Sequence, residues 1–499
     1  MGQPGPADLH PRGRANRDLS PPSWRCRLAG GVRLCRSGSR AFVVCERPLT
    51  VLEVRAAALR LLTRLVPGRE IVLPPPRPAE LRLLRQLADA GLLELRPVAG
   101  ELPTVRVVVP VRDRPAELAA CLRSLDAVRY PRELLEVVVV DDGSIRPVAV
   151  PAHVALVRLP RPAGPAGARN AGARHAGAEL IAFLDSDCEA DPGWLEALVP
   201  ELADPDVAAA GGRVLPASER SWLERYEAVR SPLDLGPARA AARPGRPVAY
   251  LVTANLVVRR ADFEASGGLD PGLRWGEDVD LCWRLHAAGR RLVYEPAGRV
   301  RHRHRGALRA FAATRASYAG SEVALLARHP DAGRWLGFSP GMAAAVLGGV
   351  GALLGGRRRP LLAGALVLAA ETAATAGQLR PLGVPPRRAV PALLRGQAAG
   401  IYWAARQLIR YYGGPAVVAA LSSGPARGRL LVTLAALAAG PAMADWHRLR
   451  PRQGPLPFLA AALLDDACYQ FGLLLACASG RTLAPLRATL RLIGRRGIS

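Results

Sequence analysis

An α/β fold is predicted for the centre of this chain: a buried, mostly parallel sheet with helices on both faces, lying between a small mixed module and an all-α apolar region. Three observations carry the prediction. Strand-like and helix-like segments alternate between about residues 104 and 184. The strand segments, such as Thr104-Val-Arg-Val-Val-Val-Pro110 and Leu134-Leu-Glu-Val-Val-Val-Val140, are near-continuous apolar runs, as burial on both faces requires. Polar clusters stand where the runs end: Pro110/Arg112/Asp113, Asp141/Asp142 and Asp185/Asp187. Ligands in such sheets sit beyond the carboxyl ends of the strands, so three clusters are expected on one rim.

At 499 residues the chain is too long for one ordinary domain. We divide it into a disordered tail (1–25), a small module (26–100), the α/β domain (101–310) and a helical apolar domain (311–499). The formal charge of +26 comes entirely from arginine, since the chain has no lysine. With 50 Gly and 45 Pro, this reads as a compositional bias, and no nucleic-acid partner is inferred from it. The eight cysteines have no C-x-x-C spacing, which argues against a zinc site and suits a reducing compartment. The polar N-terminus lacks the apolar core of a signal peptide. The expected location is cytoplasmic, or the cytoplasmic face of the membrane.

In the small module, Arg40–Cys45 has strand character. Leu49–Leu65 has roughly helical apolar spacing, and Ala79–Ala90 reads as a second helix. Gly91 is the expected C-cap, and Leu92–Arg96 returns as a strand. This pattern resembles winged-helix peptide-binding modules of the PqqD-like kind, with Arg40–Cys45 and Leu92–Arg96 as the wing. A structural cap and a DNA reader are the alternatives; the Leu- and Ala-rich second helix disfavours the reader.

The α/β domain continues with a helix over Arg114–Leu125, a strand over Val154–Leu159, a small-residue helix opened by Gly167-Ala-Arg169-Asn170, and a strand over Leu180–Leu184. That last strand runs into Asp185-Ser-Asp187. Carboxylates at i and i+2 on an extended strand point the same way. They can share one hard cation, Mg2+ or Mn2+, with a phosphate; a solvated turn with incidental acids is the bland alternative.

"VRVVVPVRDRPAELAACLRSL", "EVVVVDDGS", "GPAGARNAGA", "IAFLDSDC", "TANLVVRR" and "GLDPGLRWGEDVDLCWRL" together resemble family 2 glycosyltransferases of the Rossmann-like GT-A fold. The resemblance runs from about Val105 to His304. It implies that Pro110, Arg112, Asp113, Asp142, Arg169 and Asp185 bind a nucleotide-sugar donor. It implies that Asp187 holds the metal, with His302 favoured over His304 to complete the sphere. Asp278 is the expected base and Glu277 orients the acceptor, near Trp275 and Asn255. Acids in a first helical turn also favour the helix dipole, and the helix amides are expected to keep Asp278 ionised. The Gln-x-x-Arg-Trp of processive synthases is missing.

Downstream, Trp335–Gly356 is free of charge and is the plainest candidate membrane span. Pro360–Ala370, Leu430–Ala444 and Pro457–Gly480 are weaker, the last broken at Asp465-Asp466. The order of module, transferase and apolar domain resembles the glycosyltransferases of the mycofactocin system. That implies a UDP-sugar donor, UDP-glucose foremost, and an acceptor that is a peptide-derived redox cofactor. A lipid or cell-wall glycan acceptor at the membrane is the alternative, and an inactive glycan- or peptide-binding scaffold is the non-enzymatic one.

Overall fold

The computed structural model describes residues 22–37, 40–46, 49–54, 59, 62–65, 68–174, 177–304, 306–333 and 335–492. Residues 1–21 of the expected tail lie outside the described residues; Trp24 and Arg25, assigned to it, open the first strand.

The N-terminal module holds β1 (Trp24–Leu28), β2 (Val32–Ser37), β3 (Arg40–Glu46), β4 (Leu49–Val54), β5 (Ile71–Leu73), α1 (Pro78–Asp89) and β6 (Leu93–Pro97). Two corrections arise here. The expected helix over Leu49–Leu65 begins as a strand: β4 pairs with β3 from Glu46↔Leu49 to Ala41↔Val54. Its β-branched Thr50, Val51 and Val54 suit a pleated surface better than a helix. The expected wing is also divided, because β3 lies in the sheet β2-β3-β4 and β6 in the sheet β5-β1-β6. Phe42 and Val44 of β3 pack against Ala376, Leu379, Val384 and Ala389 of the C-terminal region. Arg85 of α1 pairs with Asp204 at 2.6 Å and Arg96 with Glu295 at 2.9 Å. The module is thus wedged against both other regions.

The α/β domain runs β7 (Val105–Val111), α2 (Pro115–Asp126), β8 (Leu135–Asp141), β9 (Ala155–Arg158), α3 (Gly164–Ala173), β10 (Leu180–Leu184), β11 (Cys188–Ala190), α4 (Trp194–Leu198), β12 (Val207–Pro216), α5 (Trp222–Arg230), β13 (Ala240–Ala241), β14 (Asn255–Arg259), α6 (Arg260–Ala265), α7 (Glu277–Ala287) and β15 (Arg291–His302). The strand order is β11-β15-β12-β14-β10-β7-β8-β9, with β13 on β15. One half, β9-β8-β7-β10, is parallel. In the other half β14 runs antiparallel to both β10 and β12, so the sheet is mixed.

The apolar runs are buried on both faces as predicted. Val105, Val107, Val109 and Val111 join the core on one side, and Val108, Val138 and Val140 the core on the other. Gly172 lets α3 lie hard on the sheet: a Cβ there would meet Val108 Cγ1 at 2.4 Å. This close approach sets Arg169, one turn earlier on the same helix, over the strand ends.

The C-terminal region holds α8 (Leu308–Arg328), β16 (Trp335–Phe338), α9 (Pro340–Gly355), α10 (Arg359–Leu379), α11 (Pro386–Leu421), α12 (Arg427–Leu449), α13 (Pro455–Ser479) and β17 (Thr489–Leu492). The plainest expected span, Trp335–Gly356, is not one helix. Its first part is β16, paired with β17, and the rest is the 16-residue α9, shorter than the roughly 20 residues a span needs. Three other segments, Arg359–Leu382, Gly424–Leu449 and Pro455–Ser479, are long and apolar enough to cross a membrane. Asp465-Asp466 does not break α13. Asp465 accepts from Tyr226 Oη at 3.0 Å, and Arg410 reaches both carboxylates at 3.3 and 3.1 Å, so the acids enter the packed interior as ion pairs.

Candidate active site

The rim formed by the ends of β7, β8 and β10 opens into a cleft of about 1690 Å³ that continues under α8 and α11. Pro110, Arg112, Asp142, Arg169, Asp185, Asp187, Trp275, Glu277, Asp278 and His302 all line it. Ten of the twelve sequence-predicted residues therefore meet in one place, from segments scattered between β7 and β15.

Two do not join them. Asn255 is fully buried and committed to the scaffold: its Oδ1 accepts from Trp194 Nε1 at 2.7 Å, and its Nδ2 donates to the carbonyls of Arg213 and Gly298. Its expected contact with an acceptor is replaced by that structural role. Asp113 adopts a left-handed φ of 54° and turns its carboxylate to the amide of Ile145 at 2.8 Å. It ties the β7–α2 loop to the Asp-Asp-Gly-Ser turn instead of lining the cleft.

At the end of β8, Asp142 is 6% exposed and receives the amides of Ala163 and Gly164 at 2.6 and 3.0 Å, fixing the entry to α3. Asp185 follows the last residue of β10. Asp187 is reached by Arg114 and by His302 Nε2, the latter 3.5 Å from its Oδ1. His302 arrives through sheet register, because β11 and β15 pair with Cys188 opposite His302. Asp187, Cys188 and His302 offer donor atoms within 4.8 Å of one another. Burial holds the Cys188 thiol well above its ordinary range, so it is a poor ligand. A carboxylate oxygen and an imidazole nitrogen remain, and that donor set fits Mn2+ or Mg2+ beside a diphosphate.

Arg169 joins the two sides. It is 4% exposed, bonds Asp185 Oδ1 at 2.5 Å through Nη2, and bonds Glu277 Oε1 at 2.8 Å through Nη1. Gly276, with φ of 83°, turns the chain into α7 and sets Glu277 and Asp278 on its first turn. Asp278 accepts the amide of Val279 at 2.8 Å. Burial, and then the charge of Glu277, outweigh the amides and Arg169 and push Asp278 up to about 7. The expectation that helix amides would keep it fully ionised is thus corrected: desolvation wins. A carboxylate with that proton affinity is matched to taking a proton near neutral pH. Trp275 packs edge-on against Tyr318 of α8, their centroids 5.3 Å apart.

Several cleft residues were not singled out from sequence: Arg114, Glu227, Tyr250, Arg315 and Trp403. Arg114 stands in the same Arg-Asp-Arg-Pro loop as Arg112, and that proximity was an available signal. Glu227, Arg315 and Trp403 sit in helices with no distinguishing pattern.

The family model for glycosyl transferase family 2 matches residues 106–267. The pre-mycofactocin glycosyltransferase of Mycobacterium tuberculosis (strain ATCC 25618 / H37Rv) is 36% identical over 428 residues, spanning 82% of this chain and 87% of that one. The chain belongs to glycosyl transferase family 2. The O-antigen biosynthesis protein RfbC of Myxococcus xanthus is 30% identical over 44% of the transferase and 19% of its own length. Among solved structures, a mannosyltransferase from Pyrobaculum calidifontis in complex with GDP-Man and Mn2+ is 21% identical. It covers 74% of the transferase and 88% of its own chain, at a TM-score of 0.41.

Proposed function

We propose that this family 2 enzyme inverts the donor's anomeric centre, requires a divalent cation, and moves a glucosyl unit from UDP-glucose to a peptide-derived redox cofactor. The observation that carries the chemistry is Asp278: a carboxylate pushed up to about 7 that shares one cleft with Asp185, Asp187 and His302. The acceptor reading rests on the kinship with the pre-mycofactocin glycosyltransferase over most of both chains.

Asp187 and His302 would hold the cation, whose charge would offset that of the diphosphate leaving group. Asp278 takes the proton of the acceptor hydroxyl as that oxygen attacks the anomeric carbon. The new C–O bond forms opposite the breaking bond to phosphate, and the nucleoside diphosphate departs. Glu277, fixed by Arg169, orients the acceptor, and Trp275 gives it an apolar face. Pro110, Arg112 and Asp142 border the nucleotide, with Asp185 and its partner Arg169 nearer the sugar.

The N-terminal module, in this reading, recruits the peptide-derived acceptor through a sheet edge. It also braces the other two regions through Phe42, Val44 and Arg85. The three apolar helical segments support a membrane-associated enzyme, and in this reading it works on the cytoplasmic face. They also favour the second reading, a lipid or cell-wall glycan acceptor. Purified full-length enzyme, screened with nucleotide sugars and Mn2+ or Mg2+ against both acceptor classes, decides between them. Transfer to the peptide-derived acceptor supports the first reading, and transfer to the lipid alone overturns it.

A further inference from the structure

β15 ends at His302, and two residues later His304 packs its ring against it, centroids 4.9 Å apart. The two Nδ1 atoms are 3.3 Å apart. A hydrogen bond between them needs one proton: two protons or two lone pairs face to face repel. The other nitrogen of His302, Nε2, faces Asp187. Imidazole ligates a metal only through an unprotonated nitrogen. His302 Nε2 can therefore serve a cation shared with Asp187 only when its proton sits on Nδ1, and that N–H then needs an acceptor. His304 Nδ1 is the atom in place.

We propose that His304 is a positioning residue that fixes the ligating tautomer of His302. The inference rests on the reading of Asp187 and His302 as the cation site.

The surroundings of His304 support this role. The residue is 7% exposed and borders the cleft. In the ligating arrangement its own proton sits on Nε2, the nitrogen that has no hydrogen-bond partner among the described residues, so no neighbour there competes for that tautomer. The rival for its Nδ1 is Glu227, whose Oε2 lies 3.7 Å away. A carboxylate closer than that would hold a proton on Nδ1, turn it into a donor, and force His302 into the wrong tautomer. Arg315 of α8 holds Glu227 by its other oxygen at 2.8 Å, and its own Nε lies 3.2 Å from Asp465 of α13. The helical region thereby withholds Glu227 from His304.

The test uses full-length enzyme in detergent and titrates Mn2+ alone, by calorimetry and by the electron paramagnetic resonance of the free ion. Outer-shell partners of metal ligands are typically worth roughly 10–100-fold in affinity, and His304→Phe should weaken Mn2+ binding by that much. His304→Asn, with an amide oxygen near the place of Nδ1, should bind as the wild type does. If the Phe variant does not fold, His304→Gln takes its place: its amide reaches the Nε2 position and is expected to fail as Phe does. Wild-type Mn2+ affinity in His304→Phe or His304→Gln overturns the inference, as does equal weakening of the Asn and Phe variants. Asp187→Asn is the reference. If it binds Mn2+ as well as the wild type, or if the wild type binds none, the cation reading itself falls and this inference with it.

Discussion

Glu277 takes the Arg169 guanidinium at 2.8 Å, and that pairing separates it from its neighbour Asp278. The two carboxylates stand side by side on the first turn of α7. One is anchored in an ion pair that reaches across to Asp185, and the other lines the cleft with its proton affinity raised. Environment, not residue type, sets the two carboxylates apart.

Asp278→Asn should lower kcat by roughly 10²–10⁴-fold, the usual worth of a general base, with donor affinity little changed. In the wild type, kcat/KM should rise with pH and level off above about 7, where Asp278 is ionised. Stability moves the other way. Because the folded pKa lies above the unfolded one, the folded state holds the extra proton between the two values, and stability falls as pH rises through that window. Asp278→Asn should therefore raise the melting temperature at pH 8 but not at pH 4. A flat pH–rate profile together with near-normal turnover would move the base elsewhere.

Arg169→Lys should be severe despite keeping the charge. One ammonium does not reproduce the two-sided fork that joins Asp185 and Glu277. Breaking a buried pair costs about 3–5 kcal/mol, so thermal unfolding should drop and turnover should be lost together. A variant with unchanged melting temperature and normal kcat would show that the bridge is incidental.

Asn255→Ala separates scaffold from acceptor contact. It strands the buried Trp194 Nε1 and the carbonyls of Arg213 and Gly298, and each buried unpaired group costs about 1–3 kcal/mol. The melting temperature should fall while the acceptor KM of the enzyme that remains folded stays put. A raised KM at unchanged stability would restore the acceptor role.

Asp187→Asn should abolish cation-dependent binding of the nucleotide sugar in calorimetry, since a neutral amide is a poor ligand for a hard cation. Donor affinity equal to the wild type with Mn2+ present would rule Asp187 out as the ligand.

What the sequence revealed follows from the range of the forces involved. The rim was legible because each cluster directly follows its own apolar run, and a buried strand that ends in acid is a local signal. His302 was reached only through family resemblance, since its place beside Asp187 depends on the β11–β15 register. Asn255 and Asp113 were misplaced because position in a motif does not say which way an amide or carboxylate turns. Asp113 needed a left-handed backbone to turn as it does. Leu52 and Val54 serve a helix or a strand equally in a short window, and pairing with β3 decided for the strand. Asp465-Asp466 looked like a helix break because its partners Arg315 and Arg410 lie far away in the chain.

Leu362 and Leu366 of α10 are 66% and 71% exposed, and Val432 of α12 is 62% exposed. Isolated apolar residues on a surface are ordinary. Here they lie on segments that are long and apolar enough to span a bilayer, with only 17% and 22% of their most apolar windows buried. Exposed apolar surface on that scale marks a contact with lipid or a partner. The full chain should sediment with membranes, resist a high-salt wash and be released by detergent. Truncating the helical region is a poor test, because it removes Arg315 and with it the partner of Glu227. Leu362→Glu with Leu366→Glu, one helical turn apart on an exposed face, leaves that contact intact. Carboxylates on a lipid-facing helix surface are costly to insert, so the double variant should shift toward the soluble fraction while keeping its circular dichroism spectrum. Full-length wild type found in the high-speed supernatant without detergent would sink the membrane reading and leave these helices as a surface for a protein partner.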